Sequence, residues 1–229
     1  LLEEPPVGLS ARDRAEVWAK LITILIEAQR YDDALARCDE WLSELPAKEQ
    51  AMRLVVERSR LAVLATAGRQ EQYLTEAERL LEADPDDTGL NNDLGYSWVD
   101  AGINVERALG MIRQAVADEP LRAAYLDSLG WAYYKTGDFD RACEYLRRAA
   151  RLREGQDSVI FDHLGDACFR LGDREAARQH WQKAAQMLKE EEAKGGMARP
   201  PDLATKIRAK LAALEDGKEP EVAPTAGKN

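Results

Sequence analysis

The chain has 229 residues, 45 % of them hydrophobic, with a formal net charge of −10 and a pI near 4.9. That apolar content supports a continuous core, and the 32 basic residues are interleaved with 42 acidic ones, so the basic footprint of a nucleic-acid binder is missing. Three cysteines form no disulfide framework, and no run of about 18 apolar residues is present to span a membrane.

Residues 1–10, with Pro5 and Pro6, read as an extended segment, and Ser10 followed by Asp13 as a helix start. The chain opens at Leu1 rather than methionine and reads as a fragment or processed product. A helical array is predicted over 11–194. Its first repeat, about 15–46, carries Trp18-x-x-Leu21-Ile22-x-x-Leu25, then Ala34, Cys38 and Pro46. The second, about 54–85, lacks a Leu-Gly pair. Leu54, Leu61 and Leu64 still give it an apolar face, and Gly68, Tyr73, Ala77, Leu80 and Pro85 follow at suitable offsets.

The next three repeats, about 88–121, 123–155 and 158–194, share one wording. They read Asn91-x-x-Leu94-Gly95-x-x-Trp98, Leu126-x-x-Leu129-Gly130-x-x-Tyr133 and Phe161-x-x-Leu164-Gly165-x-x-Cys168. Ala108, Ala142 and Ala177 follow, each with a larger residue four later, then Ala115, Ala149 and Ala184. Gly68, Gly102, Gly137 and Gly172 are placed to close first helices, and Asp138 and Asp173 to cap second ones. Repeat three has an extra turn residue in Gly102-Ile103-Asn104-Val105. Pro46, Pro85 and Pro120 end second helices. Cys38 and Cys168 fall on core positions, and Cys143 beside the small Ala142.

The second helix of repeat five runs through Lys189 to Glu192 and stops at Gly195-Gly196. Pro200-Pro201 opens a last helix over 201–215, whose Leu203, Ile207, Leu211 and Leu214 form the stripe of a capping helix. The polar residues 216–229, with Pro220 and Pro224, are expected to be disordered.

In repeats three to five the first helices carry a second stripe that a two-helix unit does not need. It comprises Asn92, Tyr96, Val99 and Asp100; Asp127, Trp131, Tyr134 and Lys135; and Asp162, Asp166, Phe169 and Arg170. Repeats one and two have no aromatics there. The candidate binding groove is therefore Asn92, Tyr96, Asp127, Trp131, Tyr134, Lys135, Asp162, Asp166, Phe169 and Arg170, an anchor-and-rim site for an extended or helical segment. Two other readings stay open: the aromatics fill gaps between adjacent first helices, and the acids are solvated.

An enzyme would need a base, a nucleophile or a metal cluster. His163 and His180 have no second ligand at metal spacing, so no metal or cofactor is expected. Asp162 and Asp166, four apart on one helix, are the remaining acid–base pairing, and a mildly repelling pair on a groove face is the simpler account.

A period near 35 residues with the order large, Leu-Gly, large, Ala, large, Ala resembles the tetratricopeptide repeat, a helix–turn–helix unit. The resemblance implies an all-α, right-handed superhelix of about five repeats plus the capping helix. It implies a non-catalytic scaffold with a protein or peptide partner lying in the groove of repeats three to five. Some such domains clamp C-terminal carboxylates with Lys and Asn; the acids here favour a basic or apolar segment. The words Leu94-Gly95-Tyr96, Leu126-Asp127-Ser128-Leu129-Gly130-Trp131 and His163-Leu164-Gly165-Asp166 are similar to the C-terminal array of bacterial envelope tetratricopeptide lipoproteins, some of them protease adaptors. That similarity implies an envelope location and an assembly or adaptor role. The alternative is self-association through a solenoid edge at repeat one, with Trp18, Ile22 and Ile26 uncovered.

Overall fold

The computed structural model describes residues 11–193 and 202–226. The extended segment 1–10 with its Ser10 cap, the Gly195-Gly196 stop and the Pro200-Pro201 start lie outside the described residues. All regular structure among the described residues is α-helical, in eleven helices. The chain forms two compact units, Leu1–Ala83 and Asp84–Asn229.

The first unit holds α1 (Ala11–Glu27), α2 (Tyr31–Glu44), α3 (Gln50–Thr66) and α4 (Gln70–Ala83). Trp18 of α1 stacks on Trp41 of α2 with ring centroids 5.2 Å apart. This corrects the expected open edge: Trp18 and Ile22 are 5 % and 4 % exposed, because they face their own hairpin partner, and Ile26 is half-buried. In α3, Val56 and Val63 are fully buried beside the expected Leu61 and Leu64, while Leu54 is half-buried. Arginines supply the order that repeat two lacks in its motif. Arg53 donates to the Leu42 and Leu45 carbonyls at 2.8 and 2.9 Å, satisfying the end of α2. Arg60 bonds Asp39 of α2 at 3.1 Å and Glu76 of α4 at 2.7 Å.

The second unit holds α5 (Thr88–Ala101), α6 (Val105–Asp118), α7 (Ala123–Lys135), α8 (Phe139–Arg151), α9 (Ser158–Arg170), α10 (Arg174–Ala193) and α11 (Leu203–Glu215). Three hairpins, α5/α6, α7/α8 and α9/α10, stack so that α5 packs on α7 and α7 on α9. The motif glycines make the hairpins tight. A Cβ on Gly130 would sit 2.6 Å from Leu146 Cγ, and one on Gly165 would sit 2.4 Å from Trp181 Cδ1. Gly102 and Gly137 close α5 and α7 at φ 71° and 83°, the left-handed region that disfavours a side chain. The Asp138 and Asp173 carboxylates accept from the Arg141 and Ala176 amides at 3.1 and 3.0 Å, capping α8 and α10 as their positions predict.

Helix α11 packs on α10, with Leu203 and Ile207 buried and Leu211 and Leu214 half-buried. Beyond it the expected disorder is not what the structure has. Residues 218–226 run without helix or strand back across the ends of α9, α7 and α5. Arg174 of α10 pairs with Glu219, Pro220 is buried, and the Ala226 amide donates to the Lys135 carbonyl at 2.8 Å. Composition alone read this polar, proline-bearing stretch as free. Its order comes from main-chain hydrogen bonds, which leave no mark on composition.

Candidate functional site

The second stripes of α5, α7 and α9 meet on one face of the second unit, and the chain's own C-terminal segment lies on the end of it formed by Tyr134, Lys135, Asp166 and Arg170. Trp131 of α7 is its centre. Its ring stacks on Tyr134 at 4.8 Å and on His163 of α9 at 4.0 Å, and its indole N–H donates to Asp100 of α5 at 3.0 Å. Trp131 and Tyr134 are 4 % and 0 % exposed, so they fill the space between first helices and do not stand out as free anchors. Lys135 approaches Asp100 at 3.7 Å from a buried position.

The acids are buried and paired. The Asp127 carboxylate accepts a hydrogen bond from His163 Nδ1–H at 3.0 Å. Burial acts to lower the His163 pKa, but the adjacent Asp127 carboxylate, with Asp162 and Asp166 behind it, outweighs that effect, and the imidazole is held above its ordinary value. On α9, Asp162 and Asp166 both receive Lys210 from α11: Nζ lies 2.9 Å from Asp162 Oδ1 and 2.5 Å from Asp166 Oδ1. Lys210 and Asp166 are 5 % and 1 % exposed. Desolvation, reinforced by the neighbouring Asp166, raises the Asp162 pKa against the pull of Lys210. Trp181 also donates its indole N–H to Asp166 Oδ1 at 3.0 Å.

Toward the C-terminal ends of α7 and α9 the face holds an extended strand of backbone. Tyr134 donates to the Ala223 carbonyl at 2.5 Å, and Arg170 donates to the same oxygen at 3.0 Å. The Ala223 amide donates to Asp166 Oδ2 at 3.2 Å. Arg170 also bonds the Tyr134 hydroxyl at 3.2 Å. Burial pushes the Tyr134 phenol up to about 12, against the lowering effect of Arg170, so it is a neutral donor at physiological pH.

The family model described as tetratricopeptide repeat matches residues 123–155, the α7/α8 hairpin. No curated protein matches the chain. Among solved structures, a thermophilic TPR protein of Thermus thermophilus, TTC0263, is 19 % identical with a TM-score of 0.65, covering 88 % of this chain and 99 % of that one. MamA from Desulfovibrio magneticus RS-1 is also 19 % identical, with a TM-score of 0.58 over 79 % of this chain and 98 % of its own. Residues 123–155 form a tetratricopeptide repeat, and the all-α fold is the one seen in solved tetratricopeptide-repeat proteins. At this identity the solved structures show the fold alone.

Within this tetratricopeptide array, the ten expected groove residues divide into three sets. Tyr134, Lys135, Asp166 and Arg170 touch residues 223–226. Asp127, Trp131 and Asp162 belong to the buried network with His163, Asp100 and Lys210. Asn92, Tyr96 and Phe169 make up the third. Asn92 is 4 % exposed, and its Oδ1 is buried without a hydrogen-bond partner among the described residues. Burial, then Asp127 and Asp100, raise the pKa of the Tyr96 phenol. Phe169 lies 5.9 Å from the Trp181 ring.

Two expectations are corrected. The acids are not a solvated rim, and the free acidic groove argued from them is absent, because Lys210 and His163 engage them. Sequence reasoning missed Lys210, although it sits three residues after Ile207 and four before Leu214, on the apolar stripe of the capping helix. A lysine at a stripe position was the available signal. No group of three or more His, Cys, Asp or Glu able to hold a metal occurs among the described residues, and no described helix is long and apolar enough to cross a membrane.

Proposed function

We propose that this chain is a non-catalytic interaction scaffold that binds an extended segment of a partner protein across the C-terminal ends of α7 and α9. One observation carries the reading. The side chains of Tyr134, Asp166 and Arg170 converge on the main chain of a single residue, Ala223, and satisfy its N–H and C=O together. Groups arranged in this way recognise main chain, so a partner's backbone can take the same bonds. Arg170, exposed at the rim, and Arg174 beside it set the charge of the approach, which suits an acidic or neutral segment better than a basic one. The similarity to envelope lipoproteins favours an adaptor or assembly role of this kind. The self-association alternative loses its main support with Trp18 and Ile22 buried.

A photo-crosslinking residue at position 171, where Leu171 is exposed beside Arg170, should capture partner segments in native extract. The capture should disappear when Tyr134→Ala is added to a chain that keeps its helicity. Undiminished capture by that folded variant refutes the site.

A further inference from the structure

Residues 219–226 already occupy the proposed site, and the way they are held says what fits there. Ala223 is clamped on both sides of its main chain, by Asp166 below its amide and by Tyr134 and Arg170 at its carbonyl. Three residues on, the Ala226 amide bonds the Lys135 carbonyl at 2.8 Å. Here the strand passes close over the end of α5, since a Cβ on Gly102 would lie 3.8 Å from Ala226 Cβ. Pro220 is buried, and burying proline strands no N–H. Arg174 takes the Glu219 carboxylate next to it. The other contacts are slight: Glu221, Pro224 and Thr225 are exposed, and Val222, Ala223 and Ala226 are only partly covered. A segment with one buried anchor and few apolar contacts lies at the low-stability end of local opening.

We infer that the tail is a tethered stand-in for the partner. The ligand class is then an extended segment with an acid-proline pair followed by small residues at the places of Ala223 and Ala226. The tail competes with it for the same hydrogen bonds. This rests on the scaffold reading above and adds both its ligand chemistry and its regulation. A tether of this kind supplies an effective concentration of about millimolar order, so a tail whose own affinity is about 0.1 mM weakens any competing ligand roughly tenfold.

The test uses the full chain carrying Ala223→Pro and Ala226→Pro, which removes the two tail amides that bond Asp166 and the Lys135 carbonyl. The probe is a labelled synthetic peptide with the sequence of residues 217–226, followed by fluorescence anisotropy. The variant should bind it at least tenfold more tightly than the unchanged chain. A peptide with tryptophan at the place of Ala223 should bind at least tenfold more weakly than the parent. Equal binding by both chains, or no binding by a variant with native circular dichroism, overturns the inference. A second measurement needs no variant: in the unchanged chain the Ala223 and Ala226 amides should exchange with solvent at least tenfold more slowly than in the free peptide, and excess peptide should speed them. Free-peptide rates in the chain overturn the competitor. If the unchanged chain captures no partner while its tail amides stay protected, the scaffold reading falls and the stand-in role with it, and only the tail's hold on this face remains.

Discussion

Replacing Lys210 with methionine keeps the length and apolar stem of the side chain and removes only its charge. Two carboxylates, Asp162 and Asp166, then remain buried at 7 % and 1 % exposure with their shared cation gone. Removing one partner of a buried ion pair costs about 3–5 kcal/mol, because the other charge stays desolvated. The Trp181 indole and the Ala223 amide still bond Asp166, so Asp162 bears most of the loss. Relief is available by protonation. Burial already raises the Asp162 pKa, so the folded state holds its proton to higher pH than the unfolded chain does. Its contribution is therefore most favourable below the ordinary Asp value and declines as pH rises through the folded one. Without Lys210 that window moves upward, and Lys210→Met should lose more stability at pH 7.5 than at pH 5. Urea denaturation followed by circular dichroism at the two pH values measures this, with the slope checked for constancy. The expected loss at pH 7.5 is several times 1 kcal/mol, so a variant within about 1 kcal/mol of the unchanged chain there refutes the buried-pair account. So does a loss that does not depend on pH.

Other outcomes follow from separate contacts. Gly130→Ala would place a Cβ 2.6 Å from Leu146 Cγ, and overpacking of this kind costs about 1–3 kcal/mol, more than the roughly 1 kcal/mol that alanine gains in a helix; a lower thermal midpoint checks it. The His163 imidazole should titrate by NMR above its ordinary value, and Asp127→Asn should lower it, since burial is then opposed only by the Asp162 and Asp166 carboxylates. The stabilisation from His163⁺ is complete below the unfolded His value and is lost as pH rises through the raised folded one, so the pH dependence of stability in that window should flatten in Asp127→Asn. Tyr134→Phe removes the donor to the Ala223 carbonyl and should raise exchange at Ala223 by an amount matching about 1 kcal/mol, with the helices unchanged.

The repeats were legible because their constraints are local. Gly130 must be small where Leu146 crosses, and Gly137 must take a left-handed turn; both needs recur at a fixed period and therefore show in one sequence. The network was half legible. The stripe Asp127, Trp131, Tyr134 could be read as something the hairpin does not require, yet its partners lie 36, 31 and 89 residues away at His163, Asp100 and Ala223. No periodicity links such distances. The sequence shows that a polar or aromatic side chain faces inward, but not which remote group satisfies it. The tail was the least legible part, because proline and charge are equally compatible with a free end and with a strand held by its backbone.

The segment from Glu219 to Ala226 also bears on the order in which the molecule is made. A ribosome finishes α5 to α10 before it reaches those residues, so the face of α7 and α9 exists for a time with nothing on it. Hairpin contacts within a repeat form early because they are local, whereas the bond from Tyr134 to Ala223 closes a loop of 89 residues. On the proposed reading, a partner segment that arrives during synthesis would meet no competitor, and one that arrives later would have to displace the tail. Under that proposal the same surface would favour partners present at the site of translation over those encountered afterwards.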